Sequence, residues 1–404
     1  MNNILVLTSF SFNDALIQTY TLPYLKIMST KTIGQQYLVC QEKTPTTPHE
    51  RGNIIRQLYA YRIHPVLLNY DRFGIKMAVK WFFYLFSLIY LVYTKKINTI
   101  HCFAMPSGGI GYIISMLTGK ELIIDSYEPH AESMVENGTW SANGLAYKIS
   151  NFLEYKQSHR ATKFIAATSG MKNYALTRFD KTIADKDFFV KPACVDLALF
   201  NPDKFDRISI RKDLELVDNI VCVYAGKLGG IYLEEEVFDF IKCAENYWGE
   251  RFRFLFLTNT EPAYIQAMSA KKEISPKTIF TTFVPHQEIP RYMAAADFGL
   301  TPVKPVKTKR YCTPIKDGEY WAMGLPVVIT KDISDDSEII NANDIGHVLH
   351  ELSTAEYLLA LNKINELLQG DKLNLQLKIR AVAKKYRNFD LAHSIYSTIY
   401  DDKQ

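Results

Sequence analysis

The chain has 404 residues, 48% apolar and 22% charged, with 47 Lys and Arg against 43 Asp and Glu and a formal net charge of +4. That length exceeds what one hydrophobic core holds, so two domains are expected. The composition excludes a disordered or fibrous chain, and the charge is too mild for a nucleic-acid binder while leaving room for anionic ligands or a membrane surface.

Apolar, β-rich runs alternate with helix-length segments along the whole chain. In the first half, strands are predicted at 4–8, 36–40, 63–68, 99–103, 121–125 and 163–168. The N-terminus runs straight into the first of these without a basic region, so no signal peptide is expected. The loop 9–14, which includes Asn13, opens a helix and is a candidate for the ligand-facing side. The run 81–93 is almost wholly apolar and aromatic and is flanked by Lys76, Lys80, Lys95 and Lys96. It is shorter than the ~20 residues of a spanning helix. Two readings stay open: a core helix covering a sheet, or a helix resting on a membrane with its lysines at the headgroups.

The 121–125 strand ends in Asp125-Ser126-Tyr127-Glu128-Pro129-His130. Three ionisable groups at one strand terminus exceed what a loop requires. Asp125 and Glu128 suit an acceptor hydroxyl, and His130 suits hydrogen bonding or proton transfer. The other reading is a capped loop with a structural histidine. His101, inside a strand pattern, reads as core. A break is expected near 190–203, which holds Pro192 and Pro202, giving domains of 1–195 and 196–384. A long final helix over about 373–400 is expected to pack its end (about 385–404) back on the first domain.

In the second half, strands are predicted at 220–225, 253–258, 278–282, 297–302, 327–330 and 346–349. Strands alternating with helices mean βαβ units, so the fold class is α/β with two doubly wound, Rossmann-like domains. Ligands in such folds bind beyond the carboxyl ends of the strands, so a cleft between two facing domains is the expected site. After 220–225 comes Gly226-Lys227-Leu228-Gly229-Gly230, glycines that let backbone approach a phosphate beside a lysine. Thr258 and Asn259 follow the next strand; Val284 lies in a Pro-containing turn suited to reading a base edge, where His286 reads as a loop residue. Lys304, Lys307, Lys309 and Arg310 precede the stretch 313–330 and would focus an anion there.

That stretch is the most informative. Thr313 is read as an N-cap and Pro314 as the first helical residue, with Gly324 as the stop before a buried strand. Lys316 and Glu319 share one helix face near its N-terminus. A lysine at free N–H groups suits a phosphate, and a carboxylate one turn on accepts two hydrogen bonds from a sugar diol. A nucleoside diphosphate carries both groups. The six cysteines (40, 102, 194, 222, 243, 312) show no paired spacing and fit a reducing compartment. No H-E-x-x-H, C-x-x-C, G-x-S-x-G or Walker A motif is present, and no metal or cofactor is expected.

In order, Val223-Tyr-Ala-Gly-Lys227, Phe283-Val-Pro285 with Glu288-Ile-Pro-Arg-Tyr292, Ala296-Asp-Phe-Gly-Leu300 and Pro314 through Val328 resemble the donor domain of GT-B glycosyltransferases. The resemblance is to glycosyltransferase family 4 and its relatives in bacterial cell-surface polysaccharide assembly. Asp125 to His130, Lys191 to Asp196 with Phe200, and the final helix fit the same layout. The resemblance implies a retaining, metal-independent hexosyltransferase acting on a nucleotide-sugar, a UDP-sugar before a GDP-sugar. The acceptor implied is a glycan or polyprenyl-linked hydroxyl, and the place the cytoplasm or the inner membrane face, touched through 76–96. By position, Glu319 would bind ribose, Lys227 and Lys316 the diphosphate, and the 283–285 turn the base, with His130 near the reacting sugar. Two departures stand out: Tyr311 replaces the glutamate usual eight positions before Glu319, and Lys227 replaces an arginine. A 2-epimerase-type enzyme and a catalytically degenerate binding subunit share this architecture and stay open.

Overall fold

The computed structural model describes residues 2–70, 75–179 and 183–401, the first four residues of 75–179 as backbone alone. Two compact units emerge: Met1–Pro192 with Asp390–Gln404, and Ala193–Phe389.

The first unit carries a seven-stranded parallel sheet in the order β3-β2-β1-β4-β5-β6-β7. Its strands are β1 (Asn3–Leu7), β2 (Gln36–Glu42), β3 (Ile63–Asn69), β4 (Ile97–Phe103), β5 (Glu121–Tyr127), β6 (Lys163–Ala166) and β7 (Asp187–Val190). The strand β7 is absent from the sequence reading, which placed the start of the break at its last residue, Val190. It is a short edge strand, and it forms because Phe188 stacks on Phe164 of β6 at 4.7 Å.

The second unit carries a six-stranded parallel sheet in the order β10-β9-β8-β11-β12-β13. These strands are β8 (Ile220–Ala225), β9 (Phe252–Leu257), β10 (Ile279–Thr282), β11 (Phe298–Thr301), β12 (Val327–Thr330) and β13 (Gly346–Leu349). Side-chain alternation explains why this sheet is buried on both faces. Val221, Val223 and Ala225 of β8 point into one core, with Trp321 and Ile379. Cys222 and Tyr224 point into the other, with Phe240 and Phe256.

In each sheet the strand order reverses once, between β1 and β4 and between β8 and β11. The loops leaving two adjacent strands part at such a point and open a crevice at the carboxyl ends. In the second unit those loops are the glycine-rich 226–234 segment and the basic 302–314 segment.

One predicted element is corrected. The single final helix is two, Lys372–Tyr386 and Phe389–Tyr400, and 402–404 lie outside the described residues. The break falls where Arg387 is buried. Its carbonyl accepts from the Val195 N–H at 2.8 Å, and Asn388 pairs in parallel with Val195. Pairing with a distant segment removes these residues from the helical ladder.

Candidate active site

The site in the second unit is assembled by the Ile315–Ala322 helix. The helix begins one residue later than read, with Pro314 in extended conformation at the N-cap. It ends before Gly324, whose φ of +74° suits glycine. Asp317 faces inward, where the Thr301 hydroxyl donates to it. Burial pushes the Asp317 carboxyl up, and its hydrogen bond to Asp336 opposes this. Asp336 is likewise raised by burial and is paired with Arg387, which lies over the Trp321 ring at 5.2 Å. Two buried carboxyls in contact hold a proton between them more readily than two charges. This network anchors the helix from beneath.

Lys316 and Glu319, the pair singled out on this helix from the sequence, are both buried. Lys316 Nζ donates to the Tyr232 hydroxyl at 2.8 Å and sits 4.1 Å from the centre of the Tyr232 ring. Its stem lies against Gly226: a Cβ there would fall 2.5 Å from Lys316 Cε. Only glycine lets the lysine cross the loop at this height. Gly229 and Gly230 adopt φ of +77° and +64° to complete the turn. Glu319 Oε1 pairs with His286 Nε2 at 2.8 Å, and the His286 ring tilts over buried Phe200 at 5.4 Å. His286, read as a loop residue, therefore contacts the Glu319 carboxylate, and Tyr232 was not singled out at all. A polar turn after an edge strand gives no sign of its partner 33 residues on.

The remaining donor-side candidates divide. Lys227 is exposed, and its carbonyl accepts from the Tyr224 hydroxyl at 2.6 Å. The Thr258 hydroxyl donates to Thr260 Oγ1 at 2.9 Å and accepts from the Thr260 N–H at 3.0 Å, so its groups are engaged in the turn. Asn259 is exposed beside it. Val284 is half-buried against the core. Tyr311 is half-buried, whereas Arg310 is exposed and pairs with Glu338 at 3.0 Å. The cluster of three lysines and one arginine is thus not uniform, because Lys309 is buried while Lys307 and Arg310 are exposed.

In the first unit, Asp125 is corrected from a substrate-facing carboxylate to a buried one. Its side chain has 0% exposure and contacts Lys191 Nζ at 3.0 Å, His101 Nε2 at 3.2 Å and the Tyr396 hydroxyl at 2.6 Å. Lys191 lies 3.3 Å from the Tyr24 ring centre, and the Tyr400 hydroxyl meets His101 Nδ1 at 2.6 Å. Burial alone would raise the Asp125 carboxyl; Lys191, His101 and Tyr396 outweigh it and hold it at about 2. This network ties Phe389–Tyr400 to the first sheet.

Glu128 and His130 remain partly open at 27% and 22% exposure, 4.0 Å apart. His130 begins the His130–Glu136 helix and meets Trp140 edge-on at 5.7 Å. Glu154 lies beneath, accepting from the Ala131 N–H at 2.7 Å. Burial, aided by Glu128 and Glu132, pushes its carboxyl up to about 8, so it is protonated at neutral pH. Ala104 and Ser126, at the ends of neighbouring β4 and β5, take φ of +67° and +54°. Non-glycine residues in that region store strain of the kind that gathers at ligand-binding loops. Asn13 is exposed on the loop after β1.

Two doubly wound units, each with a crevice at its switch point, lead to a known architecture. This is the GT-B fold. The structure aligns over 99% of the chain with 99% of HepE from Anabaena bound to UDP (TM-score 0.72, 13% identity). It aligns over 99% with 98% of sucrose-phosphate synthase from Thermosynechococcus elongatus (TM-score 0.74, 12% identity). It also aligns over 99% with all of WaaG, a glycosyltransferase of lipopolysaccharide biosynthesis (TM-score 0.70, 12% identity, 100% of that chain). Residues 245–387 match the family described as glucosyltransferase 3-like, C-terminal domain, and this match contains both Lys316 and Glu319. No curated protein sequence matches the chain. The resemblance to GT-B glycosyltransferases drawn from the order of the motifs is thus borne out.

Proposed function

We propose that this chain is a retaining glycosyltransferase of the family 4 type. It moves a hexosyl unit from a nucleoside-diphosphate sugar, a UDP-sugar before a GDP-sugar, to a hydroxyl of a glycan or polyprenyl-linked acceptor. The observation that carries the reading is buried Lys316 crossing the Gly226 loop, with buried Glu319 three residues on along the same helix. The glucosyltransferase 3-like match over the same helix and the UDP-bound HepE relative support it.

In this reading Glu319 exchanges its His286 contact for the ribose diol, and the 283–285 turn reads the base. Lys316, Lys227 and the helix N-terminus carry the diphosphate. As the glycosidic C–O bond breaks, negative charge grows on the diphosphate, and these preorganised cationic groups stabilise it without waiting for solvent to reorganise. That arrangement supplies the positive charge from the chain itself, so the reaction proceeds without a metal. The departing phosphate takes the acceptor's proton. His130 and Glu128 orient the sugar and the acceptor, and Asp125 acts only by positioning. The enzyme works in the cytoplasm on the inner face of the membrane, where a polyprenyl-linked acceptor is presented.

The test uses Lys316→Ala and Glu319→Ala in purified protein, with UDP-induced thermal shift and nucleotide-sugar turnover as readouts. Each loses hydrogen bonds to a charged group, so UDP affinity should fall about ten- to hundredfold. Wild-type affinity and turnover in both variants would sink the site assignment.

A further inference from the structure

The first unit presents an apolar face that its own fold leaves open. On the Ile75–Thr94 helix, Val79, Phe82, Phe83, Phe86, Tyr90 and Tyr93 are all exposed, up to 64% for Phe83 and 71% for Tyr90. They recur at offsets of 3, 4, 7, 11 and 14 from Val79, which places them on one stripe. Leu88 and Val92, on the opposite side of the helix, are buried. The packing of this helix is satisfied through that side, so the core reading does not account for the aromatic stripe.

A second helix repeats the arrangement. On Leu145–Arg160, Leu145, Ile149, Phe152 and Tyr155 are exposed, while Glu154, Gln157 and Ser158 on the far side are buried. Both helices pack against Met105–Thr118, and that helix exposes Met116 and Leu117. Soluble chains rarely leave so many large apolar side chains contiguous in water.

Charge selects the occupant. Neither Ile75–Thr94 nor Met105–Thr118 contains an Asp or Glu, and the one acid of Leu145–Arg160 is buried Glu154. Basic groups frame the face instead. Lys95, Lys96 and Lys148 are exposed. Lys156 lies 5.4 Å from the Phe152 ring centre and 5.9 Å from that of Tyr155. Apolar side chains with lysines at the margin and no exposed carboxylate suit a surface that is greasy within and anionic at its boundary. A second copy of this face would bring lysines against lysines. Among the described residues no helix is long and apolar enough to cross a membrane.

We propose that helices Ile75–Thr94 and Leu145–Arg160 together form one docking platform for the surface of an anionic phospholipid bilayer. The sequence reading concerned the first helix alone; the structure adds the second helix and the basic margin. The proposal deepens the reading that the acceptor is lipid-linked, yet vesicle binding is measured without nucleotide, sugar or acceptor, so the two can fail separately.

The test is co-sedimentation of the full chain with vesicles of phosphatidylcholine, with and without phosphatidylglycerol. Phe82→Ser with Phe86→Ser removes the first stripe, and Ile149→Ser with Phe152→Ser the second. Each pair should weaken binding to anionic vesicles about tenfold or more, and the four together should abolish it. Lys95→Glu with Lys96→Glu should weaken binding to anionic vesicles and leave binding to neutral ones unchanged. An unaltered UDP-induced thermal shift in every variant verifies the fold; if UDP does not bind the wild-type chain, the thermal unfolding midpoint serves instead. Unchanged vesicle binding by the Ile149/Phe152 pair would overturn the composite platform. A chain that ignores vesicles and instead forms a dimer dissolved by these substitutions would overturn the bilayer as occupant.

Discussion

The buried Asp125 carboxylate decides between a structural and a chemical role for the residue that opens the Asp125–His130 stretch. Consider Asp125→Asn. The carboxyl is held at about 2 in the folded chain, against about 3.9 in an unfolded one. A depressed value means a stabilising contribution that is full above the unfolded value and is lost as pH falls through about 2. Integrated over that interval, the contribution at neutral pH is about 2–3 kcal/mol. Asparagine removes it and also leaves Lys191 buried without its counter-charge, so the expected loss is about 3–5 kcal/mol. For a unit of this size about 3 kcal/mol lowers the midpoint by roughly 6–12 °C. The assay is thermal unfolding at neutral pH with and without UDP, because UDP raises only the transition of the unit that binds it. The UDP-insensitive transition should drop. Lys191→Met added to Asp125→Asn should recover part of the loss, since no orphaned charge then remains. An Asp125→Asn protein that melts like wild type but no longer turns over nucleotide-sugar would refute the reasoning and return Asp125 to the chemistry.

Gly226→Ala should fold with a midpoint close to wild type, because the obstructed atom is the end of a lysine chain, Cε at 2.5 Å. Displacing that ammonium should cost about tenfold in UDP affinity, read by titration calorimetry. Glu154→Gln should flatten the dependence of stability on pH. The wild-type contribution is full below the ordinary glutamate value and is lost as pH rises through about 8, so denaturant midpoints at alkaline pH should favour the variant. Five of the six cysteines are buried and only Cys312 is half-exposed. Burial pushes Cys40 up to about 12 and raises Cys102 and Cys222 as well. Iodoacetamide should therefore label Cys312 first in the native chain, and UDP should slow that labelling; mass spectrometry of digested samples reads both.

What could be read from the sequence followed the range of the interactions involved. Twelve of the strands announce themselves because an apolar run between turn residues is a local property, and Ile220–Ala225 alternates between two cores within six residues. The helix bearing Lys316 and Glu319 was legible for the same reason, with its proline, its three-residue spacing and its glycine stop all inside one short stretch. The pairings that build the site were not. His286 meets Glu319 across 33 residues, Lys316 meets Tyr232 across 84, and Tyr396 meets Asp125 across 271. Each looks like an ordinary polar or aromatic residue in its own neighbourhood. Arg387 is the sharpest case. It reads as a surface residue in a basic helix, yet it is buried on Asp336 and ends that helix. The guanidinium can be buried there because the Asp336 carboxyl, 51 residues earlier, is buried against it, and the cost of leaving either group alone keeps the pair together. The same logic connects the two ends of the site. The Asp317 and Asp336 carboxyls, both raised by burial, and the arginine paired with Asp336 back the helix that presents Lys316 and Glu319. The face proposed to bind the nucleotide is therefore backed by buried polar groups that cannot be exposed without unfolding it, and in that role needs little ordering when the ligand arrives.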